Sequence, residues 1–138
     1  NQIKLPNLIS FIGDGAFYST QIENIRFPSH VKMIGNQAFS SCRKLQKIDF
    51  LENSELNSIG ERAFFDTPIE KVLIPKCVKT IGNFAFSSCK RLHNVEFTED
   101  SMLSSIGNST FEFPFIKTIK FPPHYPIHSQ FEYIINQT

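Results

Sequence analysis

The chain has 138 residues, of which 41% are hydrophobic and 20% are charged, and this composition is typical of a single globular domain. Fourteen Lys and Arg residues against 13 Asp and Glu residues give a formal net charge of +1, which argues against nucleic-acid binding because that class relies on a large basic excess. No apolar run is long enough to span a bilayer, and residues 1–10 lack the pattern of a secretion signal. Because the first residue is not Met, the sequence is consistent with a processed product or a piece of a longer protein.

The predicted elements in chain order are successive coils of a repeat. Residues 1–11 form a partial first coil, since LPNLISFIG matches the later FPSHVKMIG in phase. Ile-Gly pairs then recur at spacings of 22, 25, 22 and 25 residues, beginning at Ile12, Ile34, Ile59, Ile81 and Ile106. Such regular spacing indicates a solenoid.

Each coil contains one short segment with the alternation of a strand, as in Ile22-x-x-Ile25-x-Phe27. A strand this short must pair with the same segment of the next coil, so we predict a parallel ladder. The Ile-Gly step is predicted to be a tight bend, because Gly tolerates a positive φ angle and close backbone approach. The Ala-Phe pair that follows is predicted to pack inward.

The larger unit is a pair of coils, because residues 12–58 and 59–105 share 24 identities in 47 positions. The pattern breaks after Phe121, where His128-Ser129 replaces an Ile-Gly pair. Residues 122–138 are therefore predicted to form a C-terminal cap, and the whole chain a single domain of about five coils.

The combined motif, read at residues 69–89 as IEKVLIPKCVKTIGNFAFSSC, resembles the BspA-type (treponemal-class) leucine-rich repeat. The resemblance covers residues 3 to about 122. It implies a leucine-rich-repeat solenoid, a right-handed coil stack with a concave parallel β-sheet and an irregular or short-helical convex side. It also implies a role in adhesion at the cell surface, although fold alone does not fix function.

Two rows of outward strand positions are predicted to form the concave face: Asn24, Lys47, Lys71, Asn94, Thr118 and Arg26, Asp49, Leu73, Glu96, Lys120. Opposite charges at Arg26 with Asp49 and at Glu96 with Lys120 are expected to hold neighbouring strands together. The central residues are the first candidate binding patch, because an exposed Leu and two adjacent Lys are not needed by the fold. This patch comprises Lys47, Asp49, Lys71, Leu73, Asn94 and Glu96.

A second candidate is a basic edge formed by Arg43-Lys44 and Lys90-Arg91, which the two-coil period places on one side of the stack. These cations suit an acidic partner. The alternative interpretation is that Glu23 and Glu70, in the intervening coils, neutralise them.

Other polar residues are better explained by structure than by chemistry. Cys42 and Cys89 lie two coils apart, about 10 Å, which exceeds the limit of about 7 Å for a disulfide, so they are predicted to be core fillers. Three free thiols, with Cys77, favour a reducing compartment or a surface protein that tolerates them. Pro126 disfavours a helical His124–His128 metal pair, and the acidic loops have too few ligands for calcium. The glycosylation sequons at Asn108 and Asn136 matter only if the chain is exported.

We therefore predict a non-catalytic, protein-binding repeat module with no cofactor and no metal, which binds through its concave sheet. The alternative is an intracellular or membrane-proximal scaffold that self-associates through the exposed ends of the array, since open strand edges can pair with another chain. The sequence leaves the cell surface and the cytoplasm both open as locations.

Overall fold

The computed structural model describes residues 2–112 and 116–126, and it confirms the predicted solenoid of parallel strands. Four-residue and two-residue strands alternate along most of the chain because each coil contributes one strand to each of two walls. The strands are β1 Gln2–Lys4, β2 Phe11–Ile12, β3 Asn24–Phe27, β4 Met33–Ile34, β5 Lys47–Phe50, β6 Ser58–Ile59, β7 Lys71–Ile74, β8 Thr80–Ile81, β9 Asn94–Phe97, β10 Ser105–Ile106 and β11 Thr118–Lys120.

The odd-numbered strands form the long-strand wall, which carries the predicted binding rows. Its register is as predicted, with Asn24 opposite Lys47 and Lys71 opposite Asn94. The predicted parallel ladder is interrupted once, however, because the wall consists of two three-stranded sheets, β1-β3-β5 and β7-β9-β11. Strands β5 and β7 lie in adjacent coils but do not pair.

The even-numbered strands form the second wall, a five-stranded parallel sheet that runs without a break from β2 to β10. The sequence predicted a tight bend at each Ile-Gly step, whereas each Ile lies in one of these two-residue strands and points into the core. Period-2 alternation is not detectable in a strand of two residues, which is why the sequence did not predict this sheet.

From the second Ile-Gly step onward, the Gly is required by the close approach of adjacent coils and not by its backbone angle. Among the glycines, only Gly15 has a positive φ angle. A Cβ atom added at Gly82 would lie 2.5 Å from the backbone nitrogen of Glu61, and one at Gly60 would lie 2.7 Å from the backbone nitrogen of Asn36. Real Cβ atoms do not come so close, so the coils stack at this spacing only because the side chain is absent.

The third side of each coil is a wall of turns, at residues 14–20, 36–42, 61–67, 83–89 and 108–112. The described residues contain no helix, so the convex side is irregular and the short-helical alternative is wrong there. Alternate residues bond to the next coil, as when the Phe39 N–H donates to the Ala63 carbonyl at 2.8 Å. This wall therefore satisfies its backbone groups between coils, as a sheet does.

A stack of Phe rings runs through the core beneath the wall of turns. Phe17, Phe39, Phe64, Phe86 and Phe111 follow one another with ring centroids 5.1 to 5.9 Å apart and near-parallel planes. The last four of these rings are fully buried. The predicted inward packing of the Ala-Phe pairs is therefore confirmed.

Residues 122–126 continue the repeat geometry at the start of the predicted cap. The Tyr125 N–H donates to the Pro122 carbonyl, as Val31 does to Pro28. The Tyr125 hydroxyl accepts the Ile106 N–H at 3.2 Å and so satisfies a donor on the last strand of the five-stranded sheet. The remainder of the predicted cap, including His128 and Ser129, lies outside the described residues.

Candidate functional site

All six residues of the predicted central patch line a single groove on the long-strand wall, with a volume of about 690 Å³. Outward-facing positions of β5, β7 and β9 provide these six side chains. The groove also contacts Gln46, Ile48, Glu70 and Val72. Since Ile48 and Val72 are buried and point inward, it is their backbone that faces the groove.

The groove lies over the split between the two sheets, where backbone hydrogen bonds are missing. In three other pairs of coils the residue before the strand donates to its counterpart in the preceding coil: Gln46 to Glu23 at 2.9 Å, His93 to Glu70 at 3.0 Å and Lys117 to His93 at 2.9 Å. No such bond joins Glu70 to Gln46 in the described chain. The groove therefore presents backbone donors and acceptors that the fold leaves unpaired.

Some charged side chains around the groove form ion pairs and others do not. Arg26 Nε lies 3.2 Å from Asp49 Oδ2, which confirms the first predicted cross-strand pair. Glu96 and Lys120 are in register, but their side chains form no ion pair in the described structure. Lys47 and Lys71, both exposed, also lack an ion-pair partner among the described residues. Like charges on adjacent strands disfavour pairing, which is consistent with the position of the split.

Two further features make the groove suitable for a partner. Leu73 lies at the centre of the groove and is 55% exposed. The Asn94 Oδ1 atom is buried and has no hydrogen-bond partner in the described structure. A buried acceptor without a donor is costly, so a partner would gain affinity if the Asn94 side chain turned to present this oxygen to one of its donors. The sequence identified Asn94 by its row, but the unsatisfied atom is visible only in the structure.

The predicted basic edge also exists as a surface feature. Arg43, Lys90 and Arg91 line a small cavity of about 160 Å³ with Asp66 and Ser88. Arg43 Nε lies 3.1 Å from Asp66 Oδ2. The sequence had suggested Glu23 and Glu70 as the neutralising residues and overlooked Asp66, which belongs to the wall of turns and follows no charge pattern.

The acidic loops of the longer coils contact nitrogen-bearing side chains in the preceding shorter coils. His30 Nδ1 lies 2.9 Å from Glu55 Oε2, and Lys76 Nζ lies 3.6 Å from Asp100 Oδ2. These contacts place the carboxylates on the surface as links between coils. Among the described residues, no group of three His, Cys, Asp or Glu side chains could hold a metal.

The cysteines of the repeated AFSSC motif are buried hydrogen-bond donors. All three cysteines are free, as predicted. Cys42 Sγ donates to the Phe17 carbonyl at 2.9 Å and Cys89 Sγ to the Phe64 carbonyl at 3.1 Å, each in the preceding coil. Both thiols are fully buried. They therefore fill the core, and they also satisfy a carbonyl of the wall of turns.

Burial raises the pKa of the Cys89 thiol from its ordinary value of 9.0 to about 11. Because the folded pKa is raised, the associated stability is fully present below pH 9 and is lost as the pH rises towards 11, by about 3 kcal/mol in all. We expect urea unfolding to show a smaller alkaline loss of stability in Cys89→Ala than in the wild type. Cys77→Ala, at a partly exposed position, should keep the wild-type pH dependence, and equal loss in all three proteins would contradict the assignment.

The two sequons differ in what the structure describes. Asn108 is exposed, while the Thr110 hydroxyl is buried and donates to the Gly82 and Gly107 carbonyls at 3.1 and 2.8 Å. Thr110 therefore has a structural role whether or not Asn108 is modified. Asn136 lies outside the described residues. No helix in the described part of the chain has the length and apolar character to cross a membrane.

The same architecture occurs in several solved structures of other proteins. The chain resembles the T. pallidum leucine-rich repeat protein TpLRR (27% identity, TM-score 0.80, covering 88% of this chain and 58% of that one). It also resembles a leucine-rich repeat protein from Bacteroides capillosus (32%, TM-score 0.57, 65% and 64%). The pneumococcal vaccine antigen PcpA shares the fold (21%, TM-score 0.67, 80% and 35%).

The chain thus spans about a third to two thirds of the length of these structures. No curated protein sequence matches it. The model of the BspA type leucine-rich repeat region matches residues 2–133 in six copies. The chain therefore belongs to the BspA-type leucine-rich-repeat family, whose repeats are generally protein-interaction modules.

Proposed function

We propose that this chain is a non-catalytic module that binds another protein through the groove over the split. The observation that carries the proposal is the convergence of exposed Lys47, Lys71 and Leu73 with unpaired backbone groups in that groove. A protein segment can satisfy all of these at once, since it brings peptide donors and acceptors, carboxylates and apolar side chains together.

The chemistry of the groove favours a protein over a small molecule. Small-molecule pockets are mostly apolar and hold few polar groups. Here the lining is dominated by charged and amide side chains, including Lys47, Asp49, Lys71 and Glu96, with Leu73 as its exposed apolar contact. Such a lining is typical of a protein interface with a small apolar centre and a polar rim.

We further propose that the chain binds its partner at a cell surface and that its role is adhesion. The support is the family resemblance and the shared fold with PcpA, which is a vaccine antigen. Both are analogies of fold, so the partner must be identified directly.

Reversal of two charges tests the groove. We expect Lys47→Glu with Lys71→Glu to abolish capture of a specific partner by the immobilised chain, because both ammonium groups face the groove. The matched control is Lys32→Glu with Lys79→Glu, which makes the same charge change at exposed positions beside the five-stranded sheet. Capture from cell-surface extracts, followed by mass spectrometry, would compare the three proteins, and urea unfolding would verify that each is folded.

The outcomes separate the alternatives. A partner that is lost with the groove variant and kept by the control supports the proposal. A partner that both variants retain would place binding elsewhere. Recovery of the chain itself, insensitive to the groove variant, would favour the alternative scaffold that self-associates through the ends of the array.

A further inference from the structure

The four cations of the basic edge, Arg43, Lys44, Lys90 and Arg91, lie at equivalent positions of two coils separated by one intervening coil, and we call them the basic ridge. The two doublets are 47 residues apart, which equals one two-coil block. At the spacing of paired strands, two coils correspond to about 10 Å. All four residues are exposed. The repeat therefore presents two doublets of positive charge separated by the length of one two-coil block.

The ridge retains positive charge after its neighbouring acids are counted. Asp66 is paired with Arg43 at 3.1 Å, and Glu23 and Glu70 lie in the intervening coils. Four cations against these three carboxylates leave a net charge of +1. Lys90 and Arg91 form no ion pair within the described residues. The protein as a whole has a net charge of only +1, so the attraction of an anion would be local to the ridge.

The surroundings of the ridge favour a linear polyanion over a protein or a membrane. The residues that line the cavity between the doublets are Arg43, Asp66, Thr67, Pro68, Ser88, Lys90 and Arg91. None is aromatic or a large aliphatic residue, whereas protein interfaces rely on such anchors, and so do proteins that insert into membrane surfaces. The cavity of about 160 Å³ is also smaller than the roughly 300–1,000 Å³ of small-molecule sites.

We propose that the basic ridge binds an acidic polysaccharide, whose sulfate or carboxylate groups contact successive doublets along the stack. A linear polymer with regularly spaced anions matches a row of cations set by the two-coil period. The small cavity accommodates one anionic substituent, with the Ser88 hydroxyl and the Arg91 guanidinium as donors. This site is separate from the groove over the split and does not depend on the proposed protein partner.

Heparin oligosaccharide is the probe, and affinity at low and moderate salt is the measurement. We expect Lys90→Gln with Arg91→Gln to raise the dissociation constant about tenfold at low salt and to reduce its salt dependence, because two ionic contacts are lost. The control is Lys32→Gln with Lys79→Gln, which removes the same charge from two exposed residues outside the ridge. It should change the dissociation constant by less than about twofold.

A variant that is expected to bind heparin more tightly separates an effect of charge from an effect of misfolding, because misfolding would weaken binding. Asp66 has a φ angle of 58°, a region that Asn tolerates well. Asp66→Asn removes the negative charge beside Arg43 and is expected to tighten heparin binding about threefold, roughly the effect of one ionic contact. Polygalacturonate, which has carboxylates only, distinguishes a requirement for sulfate from a general requirement for anions.

Several results would overturn the proposal. These are no measurable heparin binding by the wild type, equal weakening in the ridge variant and the control, or weaker binding by Asp66→Asn. Tighter binding to polyglutamate than to either polysaccharide would instead assign the ridge to an acidic protein. None of these results bears on the groove, since the groove residues are unchanged in every variant.

Discussion

Replacement of Phe64 by Ala is expected to lower the free energy of unfolding by about 4 kcal/mol, the range found when a buried Phe is deleted. Phe64 is fully buried. Its ring stacks between Phe39 and Phe86 with centroid distances of 5.3 Å on both sides, and it meets Phe27 edge-on at 6.4 Å. The variant would lose the transfer energy of the ring, leave a cavity and break the stack at its centre.

Two other Phe residues provide a graded control by urea unfolding. Among the described residues Phe17 stacks on a single ring, Phe39 at 5.1 Å, and it is partly exposed, so Phe17→Ala should cost clearly less than Phe64→Ala. Phe11 is 65% exposed, and Phe11→Ala should change stability by less than about 0.5 kcal/mol. If the three variants were equally destabilised, the stack would not be the source of the effect.

Gly82→Ala is expected to cost about 3 kcal/mol, the upper part of the range for overpacking. The new Cβ would lie 2.5 Å from the Glu61 nitrogen and 2.7 Å from the Gly60 carbonyl carbon. Both atoms belong to backbone that is hydrogen-bonded to the preceding coil: the Gly60 N–H donates to the Ile34 carbonyl at 2.8 Å, and the Glu61 N–H donates to Asn36 Oδ1 at 2.9 Å. Relief of the clash would therefore separate two coils rather than move one flexible side chain.

The repeat supplies its own control for this substitution. Gly13 occupies the equivalent position in an earlier coil, but a Cβ there would meet nothing within 4 Å, and its φ angle is not positive. Gly13→Ala should leave urea stability within about 0.5 kcal/mol of the wild type. A large loss in both variants would mean that the backbone angle, and not the stacking distance, requires Gly.

Much of the fold could be predicted because one-dimensional stacking makes each contact recur in the sequence. The Ile-Gly and Ala-Phe positions repeat as often as the coils do, so their spacing revealed the period and the inward residues such as Phe39 and Ile34. The strand rows followed from the same period, since a parallel register places equivalent residues opposite one another. For this reason the sequence alone identifies the side chains that line the groove.

What could not be predicted depends on differences between coils rather than on the repeat. The split between β5 and β7 arises in a repeat whose motif is intact, and the adjacent Lys47 and Lys71, although visible in the sequence, do not by themselves predict it. The five-stranded sheet was hidden because its strands have two residues each. Asp66 was overlooked because its carboxylate reaches Arg43 from the wall of turns, where the backbone follows no strand or helix period that could predict side-chain direction.

The alternation of Thr and Cys in the wall of turns bears on how the array can change length in evolution. The Thr20 hydroxyl contacts the Cys42 thiol at 3.4 Å, and Thr67 contacts Cys89 at 3.3 Å, so each two-coil block contains a complementary pair. Recombination that gains or loses a whole block of 47 residues preserves these pairs. Loss of one coil would place two Thr or two Cys coils side by side. Unequal crossing-over should therefore be tolerated in steps of two coils, and the 24 identities between the blocks are what one such duplication would leave.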